Sequence, residues 1–455
     1  MADPFLKKPR TYYPRCVVQI ALQMETYEDE TKTIVFNTEP LDLNIVRNSY
    51  NQADSFSMTF DAKDMPISPS IIRGGNVSVR VFDNEGNTAG NSVAIPLGGQ
   101  LTQPTFSGVI DDVDMNFDKG GQTVTVQGQD YTVLFLEKRY VDSNQKGQGR
   151  RRSRRRLINN KRIDEFMEQM IKEADKGVNL KFVNETGITN LPVVGKGSSK
   201  TNKRRGYPVK KDSSFWDIMY EVAALHGFII FVRNTEIVLA RPLKVQKGKK
   251  RPLYSLTWGN NISSINISRK MGRQKTPRIK CVCYNDESKE TLEAVFPQRN
   301  QIATTGVGTN YNEIVVKRIF GIKDSIHLKR IAENWYNILA RSEQTARVST
   351  MDMLDDGGRS LLDVGTGDLM EIHFSPFNKE HLDNMEGTAQ KASFLRSRGL
   401  PGRAAGILAQ HTELLTSFKR DMYIRSATIQ WSISSGFSLD VELINTVSIK
   451  KGEEP

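Results

Sequence analysis

The segment Leu361-Leu-Asp-Val-Gly-Thr-Gly367 has the residue types and spacing of a cofactor-binding turn: an apolar run, an acid, and two glycines that would let the backbone approach adenosylmethionine, as in a methyltransferase. That chemistry needs a buried parallel strand before the turn and a helix N-terminus after it. The turn runs instead into Asp368-Leu-Met-Glu-Ile-His-Phe374, a rough alternation without a helix cap, and fewer than 90 residues remain for the rest of a doubly wound sheet. The expectation is a turn between strands. Cys281 with Cys283, or His373 with His381 and His411, could be imagined as metal ligands, but neither Cys-x2-Cys nor His-x3-His spacing occurs. Nor does the chain contain a Gly-x-Ser-x-Gly elbow, a His-Glu-x-x-His pair or a Walker-type phosphate loop. The sequence names no catalytic, cofactor-binding or metal-ligating residue, and the expectation is a non-enzymatic protein without a cofactor.

Charge points instead to a partner. The chain carries a formal net charge of +12, and much of the excess lies in Arg150, Arg151, Arg152, Arg154, Arg155 and Arg156, with further clusters at 200–205, 210–211 and 247–251. These runs hold few aromatic residues and do not repeat at helical spacing, so they read first as solvated loops whose like charges extend the chain. The arginine run is also the candidate contact for a polyanion or an acidic protein. On charge alone, a soluble nucleic-acid-binding protein is a rival reading, and it requires salt-sensitive binding by the isolated chain.

Composition bounds the class. With 455 residues, 38% of them apolar and 25% charged, the chain is long enough for several domains with cores of their own. No apolar run approaches the roughly 20 residues of a membrane helix, and Met1-Ala-Asp-Pro-Phe-Leu-Lys-Lys lacks the apolar centre of a signal peptide. The expectation is folding in a cytosol, with Cys16, Cys281 and Cys283 as reduced, buried thiols.

The first ~140 residues are strand and turn signals. Ser55-Phe-Ser-Met-Thr-Phe60 alternates strictly and places Phe56, Met58 and Phe60 on one face, and Val77, Val79 and Val81 repeat the pattern. Short strands between Gly, Asn, Asp and Pro turns describe an antiparallel barrel or sandwich. From 141 to 250 the period changes: Ile163, Phe166, Met167, Met170, Ile171 and Ala174 predict a helix stopped by Gly177. A second helix opens at Ser214 with a capping-box acid at Asp217, and a hairpin turns at Arg233-Asn-Thr235. Strand signals return at 253–258, 262–267 and 279–284, followed by a helix from near Asp324 and strands at 347–353, 367–374, 424–433 and 437–443. Between them, 377–420 is Gly-, Ser- and Arg-rich with a helix around Ala404 to Phe418.

Two patterns carry a family resemblance. The pair Phe106-Ser-Gly-Val-Ile-Asp-Asp-Val-Asp-Met-Asn-Phe117 and Gln122-Thr-Val-Thr-Val-Gln-Gly-Gln-Asp-Tyr131, leading into Val133-Leu-Phe-Leu136, resembles the first barrel of phage tail hub proteins. Ser214-Phe-Trp-Asp-Ile-Met219 with His226-Gly-Phe-Ile-Ile-Phe-Val232 resembles their α+β insertion, in the same order along the chain. The family is the baseplate hub of contractile phage tails and related injection systems, similar to late control protein D.

The resemblance implies a mainly β fold with α+β insertions, built from two tail-tube-like antiparallel β-barrels and a small α+β domain. On it the chain divides into an N-terminal arm (1–14), a first barrel (15–140), an α+β domain with a basic loop (141–250), a second barrel begun at 251–376 with helix 324–345, an insertion (377–420), and closing strands with a C-terminal tail (421–455). It also implies a homotrimer in the virion baseplate, assembled in the host cytoplasm. The trimer would join a six-fold tail tube, or its initiator, to a three-fold central spike. The tape-measure protein would end near its channel, and DNA would pass through in transient contact. The family's role is structural.

Overall fold

The computed structural model describes residues 15–25, 31–48, 52–65, 71–82, 105–118, 121–139, 157–158, 161–175, 177–194, 207–208, 213–241, 253–269, 278–285, 289–297, 314–319, 322, 324–340, 344–374, 387–397, 402–410 and 418–445. The chain is mainly β with α+β insertions. It opens with seven strands, β1 (Arg15–Glu25), β2 (Thr31–Thr38), β3 (Asp42–Arg47), β4 (Ser55–Asp61), β5 (Ile72–Phe82), β6 (Phe106–Asp118) and β7 (Gly121–Asp130), and a short helix α1 (Thr132–Glu137). Alternation does what period-2 geometry demands: Phe56, Met58 and Phe60 of β4 are each no more than 3% exposed, while Ser55, Ser57 and Thr59 face outward.

The next elements are β8 (Leu157–Ile158), β9 (Lys161–Arg162), α2 (Ile163–Ala174), β10 (Lys181–Glu185), β11 (Val193–Val194), β12 (Tyr207–Pro208), α3 (Phe215–Leu225), β13 (Ile229–Arg233) and β14 (Glu236–Ala240). The predicted apolar stripe of α2 is buried, from Ile163 to Ala174. At the start of α3, Ser214 Oγ accepts from the Asp217 N–H at 3.0 Å, and the Asp217 carboxylate accepts from the Ser214 N–H at 3.1 Å, so the box closes in both directions. Helices α2 and α3 share one core with Tyr131, Leu134 and Phe135. Helix α1 lies within the 15–140 segment but packs into the α+β module, because its apolar residues face α3 rather than the sheet.

The rest comprises β15 (Leu253–Thr257), β16 (Ser264–Arg269), β17 (Arg278–Asn285), β18 (Glu290–Phe296), β19 (Ile314–Ile319), α4 (Ser325–Ala340), β20 (Gln344–Thr350), β21 (Leu369–Phe374), α5 (Thr388–Ser397), α6 (Gly402–Gln410), β22 (Phe418–Ser432) and β23 (Gly436–Asn445). The two β-rich blocks are fused. Strand β22 pairs antiparallel with β3, from Ala427 opposite Arg47 to Ser432 opposite Asp42, giving one 13-stranded sheet with the path β16-β20-β23-β22-β3-β4-β7-β6-β5-β1-β2 and with β21 and β15 branching from β22. One apolar cluster runs through both blocks, from Cys16 and Val18 to Val441 and Leu443.

Strand β17 does not join that sheet. It lies between β18 and β19 in a separate three-stranded sheet under α4, with Cys281, Cys283, Ile331 and Ala332 in a core of their own. The cysteines share a face, as their spacing requires, and burial pushes the Cys281 thiol up to about 12. This satellite meets the α+β module where the Trp335 Nε1–H donates to Leu225 O at 3.2 Å and Gly227 lies against Asn334.

Candidate functional site

The six arginines of the 150–156 run lie outside the described residues, as do the clusters at 200–205, 210–211 and 247–251. Among the described residues, no group of three or more His, Cys, Asp or Glu is arranged to hold a metal ion. The Gly365-Thr-Gly367 turn follows a 3-10 turn at 361–363 and leads into β21, with Gly367 in the left-handed region at φ +87°. Its amides serve the sheet: the Gly367 N–H donates to Ile424 O at 2.8 Å, and the Ile424 N–H returns a bond to Asp368 O at 2.9 Å.

Two features stand out that the sequence alone does not identify. The first is the outward face of the large sheet. Register places Ser438, Gln430, Asn44, Ser57, Gln127 and Asp112 in one row across β23, β22, β3, β4, β7 and β6. The flanking rows, which include Asp440, Thr428 and Ser55 on one side and Asp42, Thr59 and Asp114 on the other, add no lysine or arginine. In a chain of net charge +12 these rows are short-chained, polar and acidic, and the next row outward places Arg347 opposite Glu442, which also pairs with Arg425 at 3.2 Å.

The second is a cavity of about 300 Å³ where the first β block, the α+β module and the 361–368 turn meet. Arg47, at the end of β3, is 9% exposed and donates to Thr105 O at 2.5 Å, to Leu362 O at 3.2 Å and to Val364 O. The Thr366 hydroxyl donates to Asn48 O at 2.7 Å, and the Asn48 N–H donates to Asp54 Oδ1 at 2.7 Å. The Asp130 N–H donates to Asp54 O at 2.9 Å, and the Asp130 carboxylate accepts from the Thr132 N–H at 3.0 Å as the chain enters α1. One hydrogen-bonded chain therefore ties three parts of the molecule together.

Desolvation raises both carboxyls at this junction. Asp54 is pushed up to about 6 by burial, against the opposing pull of the Asn48 N–H and Arg47. Asp130 is pushed well above the usual carboxylate range, by burial first and then by the neighbouring Asp54. At Asp54 the folded chain thus keeps a proton that the unfolded chain has lost between the ordinary carboxylate range and about pH 6, while buried His226, lowered to about 3, acts in the opposite direction. The contribution of Asp54 to stability should therefore fall as pH rises through that window. Urea unfolding across pH of the unsubstituted chain and of Asp54→Asn, which keeps an acceptor for the Asn48 N–H, should show this as a stability difference that changes through the window; identical pH slopes would count against the buried carboxyl pair.

No family model matches the chain, and no curated protein matches it. Among solved structures, it is similar to the tail protein from Neisseria meningitidis MC58 with a TM-score of 0.54 at 10% identity, over 94% of this chain and 96% of that one. The chain has a tail-protein fold. Also similar are a 43 kDa tail protein of prophage MuSo2 from Shewanella oneidensis, at TM-score 0.49 and 12% identity over 94% and 98% of the two chains, and an E. coli type VI secretion component, at TM-score 0.44 and 10% identity over 91% and 76%.

Proposed function

We propose that this protein is the hub of a tail baseplate, a homotrimer that joins a six-fold tail tube to a three-fold central spike and carries the passage between them. The observation that supports it most is the fused sheet: two β blocks in one chain, continuous through β3 and β22, offer two tube-like units per subunit and six per trimer. The fold shared with a tail protein supports the same reading. The polar, acidic rows of the sheet face suit a passage for DNA, because rows without cations do not hold phosphates. Tube, spike and tape-measure proteins are then the partners, and the virion baseplate is the location.

The sheet path ends at β2 and at β16. Strand β2 exposes apolar residues on both faces, with Ile34 at 42% and Val35 at 58%, a surface that isolated proteins avoid and that a neighbouring subunit would cover. The double substitution Ile34→Lys with Val35→Lys should leave the subunit folded, changing stability by about 0.5 kcal/mol or less, while abolishing assembly. Light scattering with circular dichroism checks both; assembly that persists removes β2 from the interface. The arginine run is proposed to meet DNA in the passage or an acidic neighbour. Replacing its six arginines with serine and measuring assembly and DNA delivery tests this, and no change in either reduces the run to a solvated loop.

A further inference from the structure

The joint between the satellite sheet and the α+β module holds polar groups that tail docking does not use. His226 caps the C-terminus of α3 and is 1% exposed, its ring stacked on Phe228 with centroids 6.5 Å apart. Gly227 follows at φ +72°, where a Cβ would stand 2.5 Å from Asn334 Cβ, so this corner of the module lies directly on α4 of the satellite. Three buried nitrogens gather here without a hydrogen-bond partner among the described residues: His226 Nδ1, His327 Nε2 on α4, and Arg241 Nε just beyond β14. The charges around them are mainly of one sign. Arg330 of α4 and Arg241 act on His327, with Asp324 as the opposing acid, and Glu333 of α4 answers Arg241. Lys329 lies on another side of α4, Glu221 is more than a turn before the cap of α3, and Arg233 and Glu236 sit at the far end of the β13–β14 hairpin.

With both imidazoles neutral, Arg241 and Arg330 are met by Asp324 and Glu333. Protonation adds two cations and no acid, and an imidazolium must donate from both ring nitrogens where the buried ones have no acceptor. We propose that this joint is a proton-operated latch: it holds the satellite sheet and α4 on the α+β module while His226 and His327 are neutral, and acid that charges the rings releases the satellite while the large sheet stays folded. The Trp335 indole, which donates to Leu225 O across the joint at 3.2 Å, lets go at the same time. Burial, and then His327, holds His226 far below the usual 6.5, at about 3, and burial lowers His327 as well. The released state, with solvated imidazoles, therefore takes up protons first. The latch is fully closed above about pH 6.5 and weakens as pH falls toward 3, a sense opposite to that of Asp54. The proposal stands apart from the hub assignment, since it rests on the joint alone.

The test is amide hydrogen exchange of the full chain, read by mass spectrometry between about pH 7.5 and about pH 5 and corrected for the intrinsic pH dependence of exchange, which follows the joint and the large sheet separately. One imidazole held at about 3 when closed and near 6.5 when open favours the open state about 30-fold more at the acid end of that range. Peptides covering α4 and the end of α3 should lose about that much protection or more, while those covering β4, β7 and β22 keep theirs. In His226→Gln the loss should shrink by about the same factor, and in the double variant His226→Gln with His327→Gln it should vanish. Unchanged protection of α4 in acid, an equal loss across the large sheet, or the same loss in the double variant would each overturn the proposal. If the buried position does not tolerate glutamine, His327→Gln alone, on the less buried ring, must still reduce the acid effect, and an undiminished effect there would overturn the proposal as well.

Discussion

Arg47→Met should loosen the junction of the two β blocks. Methionine keeps much of the stem's packing and deletes the donors, leaving the carbonyls of Thr105, Leu362 and Val364 without their partner in a site 9% exposed. Each abandoned buried acceptor costs about 1 kcal/mol or more, and relief from burying a cation offsets only part, so a loss of about 3 kcal/mol is expected. Asp54 loses its neighbouring positive charge at the same time, and its carboxyl should rise above about 6. Urea unfolding gives the first effect and a pH series the second. A loss below about 1 kcal/mol would mean that the guanidinium is not what joins the blocks.

Gly128→Ala should be of similar or greater size, for a steric reason. A Cβ at Gly128 would stand 2.0 Å from Val109 O and 2.7 Å from two Phe56 ring carbons, while Gly108 on the paired strand is equally closed, with Gln129 O at 2.3 Å. Strands β6 and β7 would have to separate beside the irregularity between Ile110 and Asp112 that already interrupts their register. The expected cost is at least about 3 kcal/mol, read as a lower urea midpoint or loss of soluble protein. Gly406→Ala is the contrast. Its new Cβ meets nothing within 4 Å among the described residues, in helix α6, so it should be neutral or stabilising by up to about 1 kcal/mol.

Local rules were legible because their partners lie within a few residues. The stripe of α2, the Ser214 and Asp217 box and the alternation of β4 are all set by spacing alone. The β3–β22 pairing was not, since nothing in Leu43-Asn-Ile-Val46 indicates that Trp431 and Ile429 will lie opposite. An arginine ending an alternating strand reads as a solvent residue, and only the fold brings the carbonyls of 362 and 364 to Arg47. Asp54 precedes β4 and Asp130 ends β7, and they meet for the same reason. Strands β18 and β19 have weak or no alternation, so β17 reads as part of the second barrel until its partners are seen. Helix α5 has no strong apolar stripe and sits among Gly-, Ser- and Arg-rich sequence, which conceals it.

As the proposed hub, this chain acts by assembling with copies of itself rather than by turnover or by holding nucleic acid. The most direct test is the mass of the protein in solution, measured alone, with a polyanion, and with its spike. A species of three subunits, alone or formed on addition of the spike, whose subunit number does not change with the polyanion, is the predicted result; a chain that stays monomeric with the spike and gains mass only with nucleic acid would contradict it.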